Sequence, residues 1–249
     1  MTKSDPLRQI WLAAVLLTRL PMPHLPPQAF VHGPQAVWAY PLVGAGVGLA
    51  GVAAAQAALV LGLPHLGAAA LGLAAMMLVT GGMHEDGLAD LFDGFWGGFT
   101  PERRLEIMRD SQIGTYGVLA LVVVFTLRLV AVAALLDQTP LALVAAAALS
   151  RAGMPVVMAA LPAARRDGLS RSVGQPPITA VAVGLGVALV IALLCLGAPA
   201  LLALLVALAV TACITALAKA KICGQTGDVL GATQQLSEAA ILLTCTALL

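Results

Sequence analysis

Charge is scarce in this sequence. Only 13 Lys and Arg and 12 Asp and Glu residues occur among 249, which is 10% of the chain, against about 25% in soluble domains. Aromatic residues make up 4% and the formal net charge is +1, so the chain lacks the basic field and the stacking side chains that nucleic-acid binding needs. We therefore expect no nucleic-acid partner.

Cysteine is also rare, with four residues and no Cys-x-x-Cys or Cys/His spacing. This pattern argues against a disulfide framework and against a structural zinc site. Cys195, Cys213, Cys223 and Cys245 each stand alone in or beside apolar sequence. We predict that they pack as small apolar side chains.

Long apolar runs take the place of charge. Hydrophobic residues are 60% of the chain and the mean hydropathy is +0.98, and the runs approach the ~20 residues that cross a bilayer as a helix. The sequence therefore predicts an all-α, polytopic integral membrane bundle of about six to eight transmembrane helices, forming one domain over residues 1–249. The predicted spans are 36–61, 65–83, 115–136, 139–161, 178–197, 199–217 and 230–249. Segment 7–20 is shorter, and we expect it to lie in the interface or to re-enter the membrane.

The connections between these spans differ in charge. Most Lys and Arg residues lie in residues 84–114, 162–177 and 218–229, which pairs of spans separate, whereas the opposite connections carry none. By the positive-inside rule the charged face is cytoplasmic. We predict a multi-pass protein of the cytoplasmic (inner) membrane whose active-site segments, 84–114 and 223–232, face the cytoplasm.

Four carboxylates interrupt the apolar background within nine positions: Glu85, Asp86, Asp90 and Asp93. If this stretch is helical, the i, i+4, i+7 spacing places the three aspartates on one face, where like charges repel unless a cation binds. Mg²⁺ takes carboxylate ligands, keeps several waters and completes its shell with substrate phosphates. We predict a Mg²⁺ site formed by these four acids and Asp228, which span counting places on the same face. A solvated loop between helices is the alternative.

Basic residues near the acids suggest a phosphate ester as ligand. Arg103, Arg104 and Arg109 follow the carboxylates, and planar guanidinium groups share the charge of a diphosphate well. Their alternative role is to anchor a cytoplasmic helix. Arg128 and Arg151 lie within apolar runs, where charges face the bundle interior, either as ligands of an anionic substrate or as partners of carboxylates.

Two further patterns bear on the site. His84 adjoins the carboxylates and is a candidate general base or a donor that orients them. The stretch GVGLAG (46–51) fits G-x-G-x-x-G, but it lies inside an apolar run with no preceding strand. Together with Gly44-x-x-x-Gly48, it predicts close helix packing rather than a dinucleotide site.

Three stretches carry a family resemblance: TGGMHEDGLADLFDG, RLEIMRDSQIGTYG and GQTGDVLGA. Shorter matches accompany them at TRLP (18–21), YPLVG (40–44), SR (150–151) and ARRDGL (164–169). Together they resemble the cobalamin synthase family, also called adenosylcobinamide-GDP ribazoletransferase, over nearly the whole chain. Cys223 stands where that family commonly has glycine.

The resemblance implies a Mg²⁺-dependent transferase that completes the lower nucleotide loop of vitamin B12. A hydroxyl of α-ribazole or its 5′-phosphate attacks the cobinamide-linked phosphate of adenosylcobinamide-GDP and expels GMP. The expected catalytic residues are His84, Asp86 and Asp93, with His84 or Asp93 removing the hydroxyl proton. The expected substrate-binding residues are Arg19, Arg104, Arg109, Asp110, Ser111, Arg128, Arg151, Arg165 and Thr226.

The expected partners are these two substrates and the lipid bilayer, and a homo-oligomer or a complex with other corrinoid-assembly enzymes is left open. Two other functions compete. A CDP-alcohol phosphotransferase of phospholipid synthesis has a similar Asp-rich motif, but its Ala-Arg pair and its later paired acids are missing here. A cation- or proton-coupled transporter favours charges at the bilayer midplane and internal repeats, whereas these acids cluster in one stretch.

Overall fold

The computed structural model describes residues 5–23 and 25–248, and within them the secondary structure is helical with no β-strand. The helices are α1 (Pro6–Leu17), α2 (Gly33–Ala36), α3 (Tyr40–Val60), α4 (His65–Thr80), α5 (Met83–Gly97), α6 (Pro101–Ile107), α7 (Thr115–Leu135), α8 (Ala142–Ala160), α9 (Leu169–Val173), α10 (Ile178–Leu196), α11 (Pro199–Ile222) and α12 (Gly227–Leu248). Two 3₁₀ segments, Pro27–His32 and Val37–Ala39, flank α2. The predicted all-α class is confirmed.

In the described part of the chain, five helical stretches are long and apolar enough to cross a membrane. They are Gln28–Val60, which contains α3, and the helices α7, α8, α10 and α11. α4 and α5 meet the same test only as a bent pair, which raises the number to six. The polytopic membrane architecture is therefore confirmed, and two predicted spans need correction.

The predicted span 65–83 is wrong at its end, because α4 stops at Thr80 and the chain turns by 90° into α5. Gly81 and Gly82 form the turn with φ angles of 69° and 70°, a left-handed conformation that glycine adopts without a steric penalty. A Cβ atom on Gly81 would also lie 2.4 Å from Cγ of Arg19. The turn sets the acid-bearing α5 at a right angle to the apolar α4.

The last helix, α12, covers the predicted span 230–249 as far as residue 248, but its hydropathy is lower than that of the five apolar stretches that are long enough to cross a membrane. It packs against α5, α7, α8 and α11, and these neighbours bury its polar side chains. Thr233, Gln234, Gln235, Ser237 and Glu238 are each at most 2% exposed. α12 is thus a central helix whose polar groups face the protein interior.

α1 has 12 residues, which is about 18 Å of helix. It is therefore too short for the ~30 Å hydrocarbon core of a bilayer, as expected for segment 7–20. It packs against α3 and α2, and its buried side chains are Leu12, Ala13, Leu16 and Leu17. Its place in the interface or in a re-entrant segment stays a prediction.

Glycines of α3 bring this helix into close contact with α8. A Cβ atom on Gly44 would lie 2.3 Å from the carbonyl oxygen of Ala147, and one on Gly48 would lie 2.7 Å from Cα of Val144. Gly46 has open space around it. The predicted helix-packing role is confirmed for Gly44 and Gly48, whereas Gly46 lies outside this contact.

The cysteines are free thiols in different surroundings. Cys245 is buried, as predicted, but Cys213 and Cys223 are exposed, so the packing prediction is wrong for these two. Cys223 ends α11 with a φ of 54°. Glycine is the usual residue at this position of a helix end, because it carries no Cβ atom.

Candidate active site

The acid-rich stretch is helical, as predicted, and forms α5. Its three aspartates differ in exposure: Asp86 is exposed, Asp90 is half-buried and Asp93 is 7% exposed. The aspartate stripe therefore runs from the surface into the protein, and its three carboxylates have different surroundings.

Two glycines allow α5 and α12 to approach closely. A Cβ atom on Gly87 would lie 3.0 Å from Cα of Asp228, and one on Gly231 would lie 3.1 Å from the carbonyl oxygen of His84. Larger side chains at these positions would push the two helices apart. The crossing thus places Asp228, from the far end of the sequence, beside the aspartate stripe.

The carboxylates form one electrostatic group. Asp228, Asp86 and Asp93 all lie close enough to Asp90 to repel its negative charge, and Arg165 lies close enough to attract it. Among the described residues, no three His, Cys, Asp or Glu side chains converge closely enough to hold one ion. A metal bound here would take part of its coordination from water or substrate, which is the usual behaviour of Mg²⁺.

Residues 161–177, which join α8 to α10 and are here named the strap, are tied to the start of α12. The backbone amide of Ala164 donates to the carbonyl of Gln225 at 2.8 Å, and the amide of Gln225 donates to the carbonyl of Pro162 at 2.9 Å. Arg165 of the strap pairs with Asp228 at 3.1 Å. These contacts fix a guanidinium group next to the carboxylates.

The three charged connections meet at one end of the bundle. Arg109 forms an ion pair with Asp167 of the strap, and Arg104 donates to the carbonyl oxygen of Lys221 at 2.8 Å. The contacts confirm that segments 84–114, 162–177 and 218–229 share one face.

A cavity of about 220 Å³, here named the first cavity, lies between the strap, the start of α5 and the start of α12. Arg165, Asp228 and His84 line it together, and most of the other lining side chains are apolar. A cation, a carboxylate and an imidazole therefore share one small cavity next to the aspartate stripe.

His84 is 2% exposed, and neither of its ring nitrogens has a hydrogen-bond partner in the described part of the chain. A buried polar group without a partner costs about 1–3 kcal/mol. The imidazole at the wall of the first cavity therefore has two enclosed nitrogens whose hydrogen-bonding capacity the described residues leave unused.

Asp93 has a different environment from the other aspartates. Its Oδ2 accepts a hydrogen bond from the backbone amide of Gly114 at 2.7 Å, and its Oδ1 accepts one from the amide of Gly117 at 2.9 Å. These amides belong to the first turn of α7 and the residue before it, where a carboxylate satisfies unpaired N–H groups and complements the helix dipole. The contacts give Asp93 a role in positioning α7.

Arg128 lies in a buried polar cluster, which we define as Arg128, Arg151, Glu85, Gln234, Gln235 and Glu238. Arg128 donates to Glu238 at 2.6 Å and to Gln235 at 2.6 Å, and it pairs with Glu85 at 3.3 Å. The predicted metal ligand Glu85 is thus directed toward Arg128, away from the aspartate stripe.

Arg151 belongs to the same cluster. It lies 3.6 Å from Glu238 and donates to the carbonyl oxygen of Ala147 at 3.0 Å. Of the two roles predicted for Arg128 and Arg151, pairing with carboxylates is the one these contacts favour.

Glu238 joins the two arginines, and the sequence reasoning missed it together with Gln234 and Gln235. A signal was present. Three polar residues at positions i, i+1 and i+4 of an otherwise apolar run share one side of a helix, and polar groups in such runs face the bundle interior.

Two predicted substrate-binding arginines lie elsewhere. Arg104 donates to the carbonyl oxygens of Gly98, at 3.0 Å, and Lys221, so it joins the turn before α6 to the end of α11. Arg19 is exposed and covers the turn at Gly81. Neither residue lines the first cavity.

Three other predicted residues have local contacts. Asp110 accepts a hydrogen bond from the backbone amide of Gln112 at 3.0 Å in an exposed turn, and Ser111 is exposed beside it. The hydroxyl of the buried Thr226 donates to Asp228 at 3.1 Å. Thr226 therefore orients a carboxylate of the site.

Comparison with known proteins adds to this geometry. The sequence model of the CobS family, described as cobalamin-5-phosphate synthase, matches residues 9–246. The adenosylcobinamide-GDP ribazoletransferase of Bradyrhizobium diazoefficiens is 47% identical over 239 residues, which cover 95% of this chain and 92% of the relative. That of Azorhizobium caulinodans is 47% identical over 215 residues, covering 83% and 81%. That of Sinorhizobium medicae is 44% identical over 256 residues, covering 95% and 96%. No solved structure matches the chain.

Both kinds of match extend over nearly the whole chain and include α5, the strap and the start of α12. They confirm the resemblance carried by the sequence motifs. The chain therefore belongs to the cobalamin-5-phosphate synthase family and is an enzyme of cobalamin biosynthesis.

Proposed function

We propose that the enzyme joins adenosylcobinamide-GDP to α-ribazole 5′-phosphate, or to free α-ribazole, and releases GMP. The observation that carries this proposal is the first cavity, where Arg165, Asp228 and His84 lie beside the aspartate stripe. The relatives' shared name supports the same donor and the transfer of ribazole. The family's description, cobalamin-5-phosphate synthase, favours the phosphorylated acceptor.

The reaction is a displacement at phosphorus. The acceptor hydroxyl oxygen forms a bond to the cobinamide-linked phosphorus, and the bond from this phosphorus to the GMP oxygen breaks. GMP leaves with the electron pair, and the hydroxyl proton passes to a base. The protein must therefore position two nucleotides and stabilise negative charge on the phosphates.

The acids fit a Mg²⁺ ion shared with substrate. Asp86, Asp90 and Asp228 offer hard oxygen donors, and the repulsion around Asp90 would fall if a cation bound between them. Mg²⁺ usually takes one or two carboxylates and fills its remaining positions with water and phosphate oxygens. When bound, the ion would neutralise charge on the reacting phosphates.

Arg165 is the arginine best placed for a phosphate. It lines the first cavity and pairs with Asp228, and its buried Nε has no hydrogen-bond partner within the described residues. Arg109 is further out, in an exposed pair with Asp167. We propose that Arg165 holds the diphosphate and that Arg109 keeps the strap in place.

His84 is the proposed base. It lies at the cavity wall with both ring nitrogens free of protein partners, whereas both oxygens of the alternative, Asp93, accept backbone hydrogen bonds. General-base catalysis contributes about 10²–10⁴-fold. Replacement His84→Ala should lower kcat by that factor with little change in either substrate KM, and an unchanged kcat would transfer the role to another group.

We further propose that this end of the bundle faces the cytoplasm. The arginines and lysines of the three charged connections meet there, and the positive-inside rule assigns such a face to the cytoplasm. Both nucleotide substrates would then reach the site from the compartment in which nucleotides are made.

The direct test is turnover by the purified protein in lipid nanodiscs with Mg²⁺. We expect GMP and a corrinoid product to form only when adenosylcobinamide-GDP and α-ribazole 5′-phosphate or α-ribazole are both present. Asp137→Asn is the control for aspartate-to-asparagine variants of the site, because it makes that change in an exposed pair with His65 away from the site. Absence of GMP release would refute the proposal, and CMP release from CDP-diacylglycerol would favour a phospholipid synthase instead.

A further inference from the structure

A second cavity of about 160 Å³ adjoins the first one at the strap. Met158 and Ser170 line both cavities, so the two spaces lie side by side at these residues. Each is smaller than the roughly 300–1,000 Å³ of small-molecule pockets, and only the two together reach that range. A ligand held by its phosphate in the first cavity therefore has adjoining space for another part of the molecule.

The second cavity contains a carboxamide that the strap holds in place. Gln225 is 4% exposed, and its Oε1 accepts a hydrogen bond from the hydroxyl of Ser170. Its backbone amide and carbonyl are bonded to Pro162 and Ala164. Among the described residues, no protein group is bonded to the side-chain nitrogen of Gln225, so this nitrogen is available as a donor to a ligand.

The other lining residues narrow the class of ligand. Polar groups make up the larger part of the lining surface, and Met158, Leu161 and Pro162 supply its apolar part; the described lining includes no Asp or Glu and one charged residue, the exposed Arg171. The apolar side chains suit the face of a flat ring. A fixed amide donor suits an acceptor on the ring edge, as in the recognition of nucleic-acid bases by Asn and Gln.

We propose that the second cavity binds the heterocyclic base of a nucleotide whose phosphate lies at Arg165 in the first cavity, with Gln225 contacting the edge of the base. This inference rests on the proposed function, in which donor and acceptor each carry a base, a sugar and a phosphate. The guanine of the donor and the base of α-ribazole share the required chemistry, and kinetics distinguish them.

The test measures the KM of each substrate, at saturating concentration of the other, for the wild type, Gln225→Ala and Gln225→Glu in nanodiscs. Gln225→Glu keeps the size and the acceptor but removes the donor. We expect both variants to raise the KM of one nucleotide substrate about ten-fold, because the loss of one hydrogen bond of about 1.4 kcal/mol weakens binding by that factor. The kcat of both variants should stay within two-fold of the wild type. A rise for adenosylcobinamide-GDP assigns the cavity to guanine, and a rise for α-ribazole 5′-phosphate assigns it to the acceptor base.

Two further variants isolate the effect. Ser170→Ala removes the hydroxyl that orients Gln225, so it should raise the KM of the same substrate. Gln56→Ala removes another partly buried amide, bonded to the carbonyl of Leu136 outside both cavities, and should change neither KM. Normal turnover with unchanged KM values in both Gln225 variants would overturn this subsite alone, whereas absence of turnover in the wild type would defeat the proposed function.

Discussion

The charge balance of the buried polar cluster makes a quantitative prediction about Glu238. Two positive groups, Arg128 and Arg151, face two negative ones, Glu85 and Glu238, with side chains at most 15% exposed. The substitution Glu238→Gln preserves the shape of the side chain but leaves one uncompensated positive charge in the core. Removing one partner of a buried ion pair costs about 3–5 kcal/mol.

Thermal unfolding of the detergent-solubilised protein measures this cost. A loss of 1 kcal/mol lowers Tm by about 2–4 °C in a chain of this size, so we expect Glu238→Gln to lower Tm by roughly 6–20 °C. Asp137→Asn is the matched control, because its carboxylate is 69% exposed and pairs with a His65 side chain that is 48% exposed. Exposed pairs contribute about 0–1 kcal/mol.

A double variant tests the electrostatic explanation itself. Glu238→Gln combined with Arg151→Gln restores a neutral cluster, with Arg128 still paired to Glu85 at 3.3 Å. We expect the double variant to recover at least half of the lost Tm. The reasoning is refuted if Glu238→Gln shifts Tm no more than Asp137→Asn, or if the double variant is less stable than Glu238→Gln alone.

Three further predictions concern α5, α7 and α11. Gly87→Leu should reduce GMP release at least ~10-fold more than Gly46→Leu, because a side chain at Gly87 meets Asp228 and displaces the site residues, whereas Gly46 has open space; equal activities would contradict the close crossing of α5 and α12. Asp93→Ala leaves two backbone amides near the start of α7 without an acceptor, so it should cost about 2 kcal/mol and lower Tm by several degrees. Cys223→Gly removes a Cβ atom from a left-handed position and should raise Tm by about 2–4 °C, and no rise would contradict strain there.

Features set by short-range patterns were predictable from the sequence. The apolar runs gave the membrane helices, the i, i+4, i+7 spacing gave the aspartate stripe of α5, and the charge asymmetry gave the shared face of the loops. The helix-packing role of Gly44 and Gly48 also followed from spacing, because small residues four apart lie on one helix face.

Features that depend on which helices meet were not predictable in this way. Glu85 looked like a fifth metal ligand, but α7 brings Arg128 within 3.3 Å of it. Asp93 looked equivalent to Asp86 and Asp90, but the start of α7 occupies both of its oxygens. In each case a neighbouring helix, distant in sequence, supplies the partner.

The burial of α12 is another feature that depends on which helices pack together. Its polar residues lower its hydropathy below that of the other long helices, yet surrounding helices bury it. The mean hydropathy of a helix indicates how well its surface suits contact with lipid. It does not indicate which other helices pack around it. The pairing of Glu238 with two arginines therefore emerged only from the packed structure.

The most direct test of the proposed metal site is the Mg²⁺ dependence of GMP release by the wild type and by Asp90→Asn. Mutating a residue that only hydrogen-bonds to a metal ligand lowers metal affinity about 10–100-fold, and loss of a ligand itself should cost at least as much. We therefore expect Asp90→Asn to need at least ~10-fold more Mg²⁺ for its half-maximal rate. Because the substitution also relieves repulsion from Asp228 and Asp86, Tm without Mg²⁺ should stay the same or rise, which separates lost metal binding from unfolding. A variant that releases GMP with the wild-type Mg²⁺ dependence would show that Asp90 does not bind the ion.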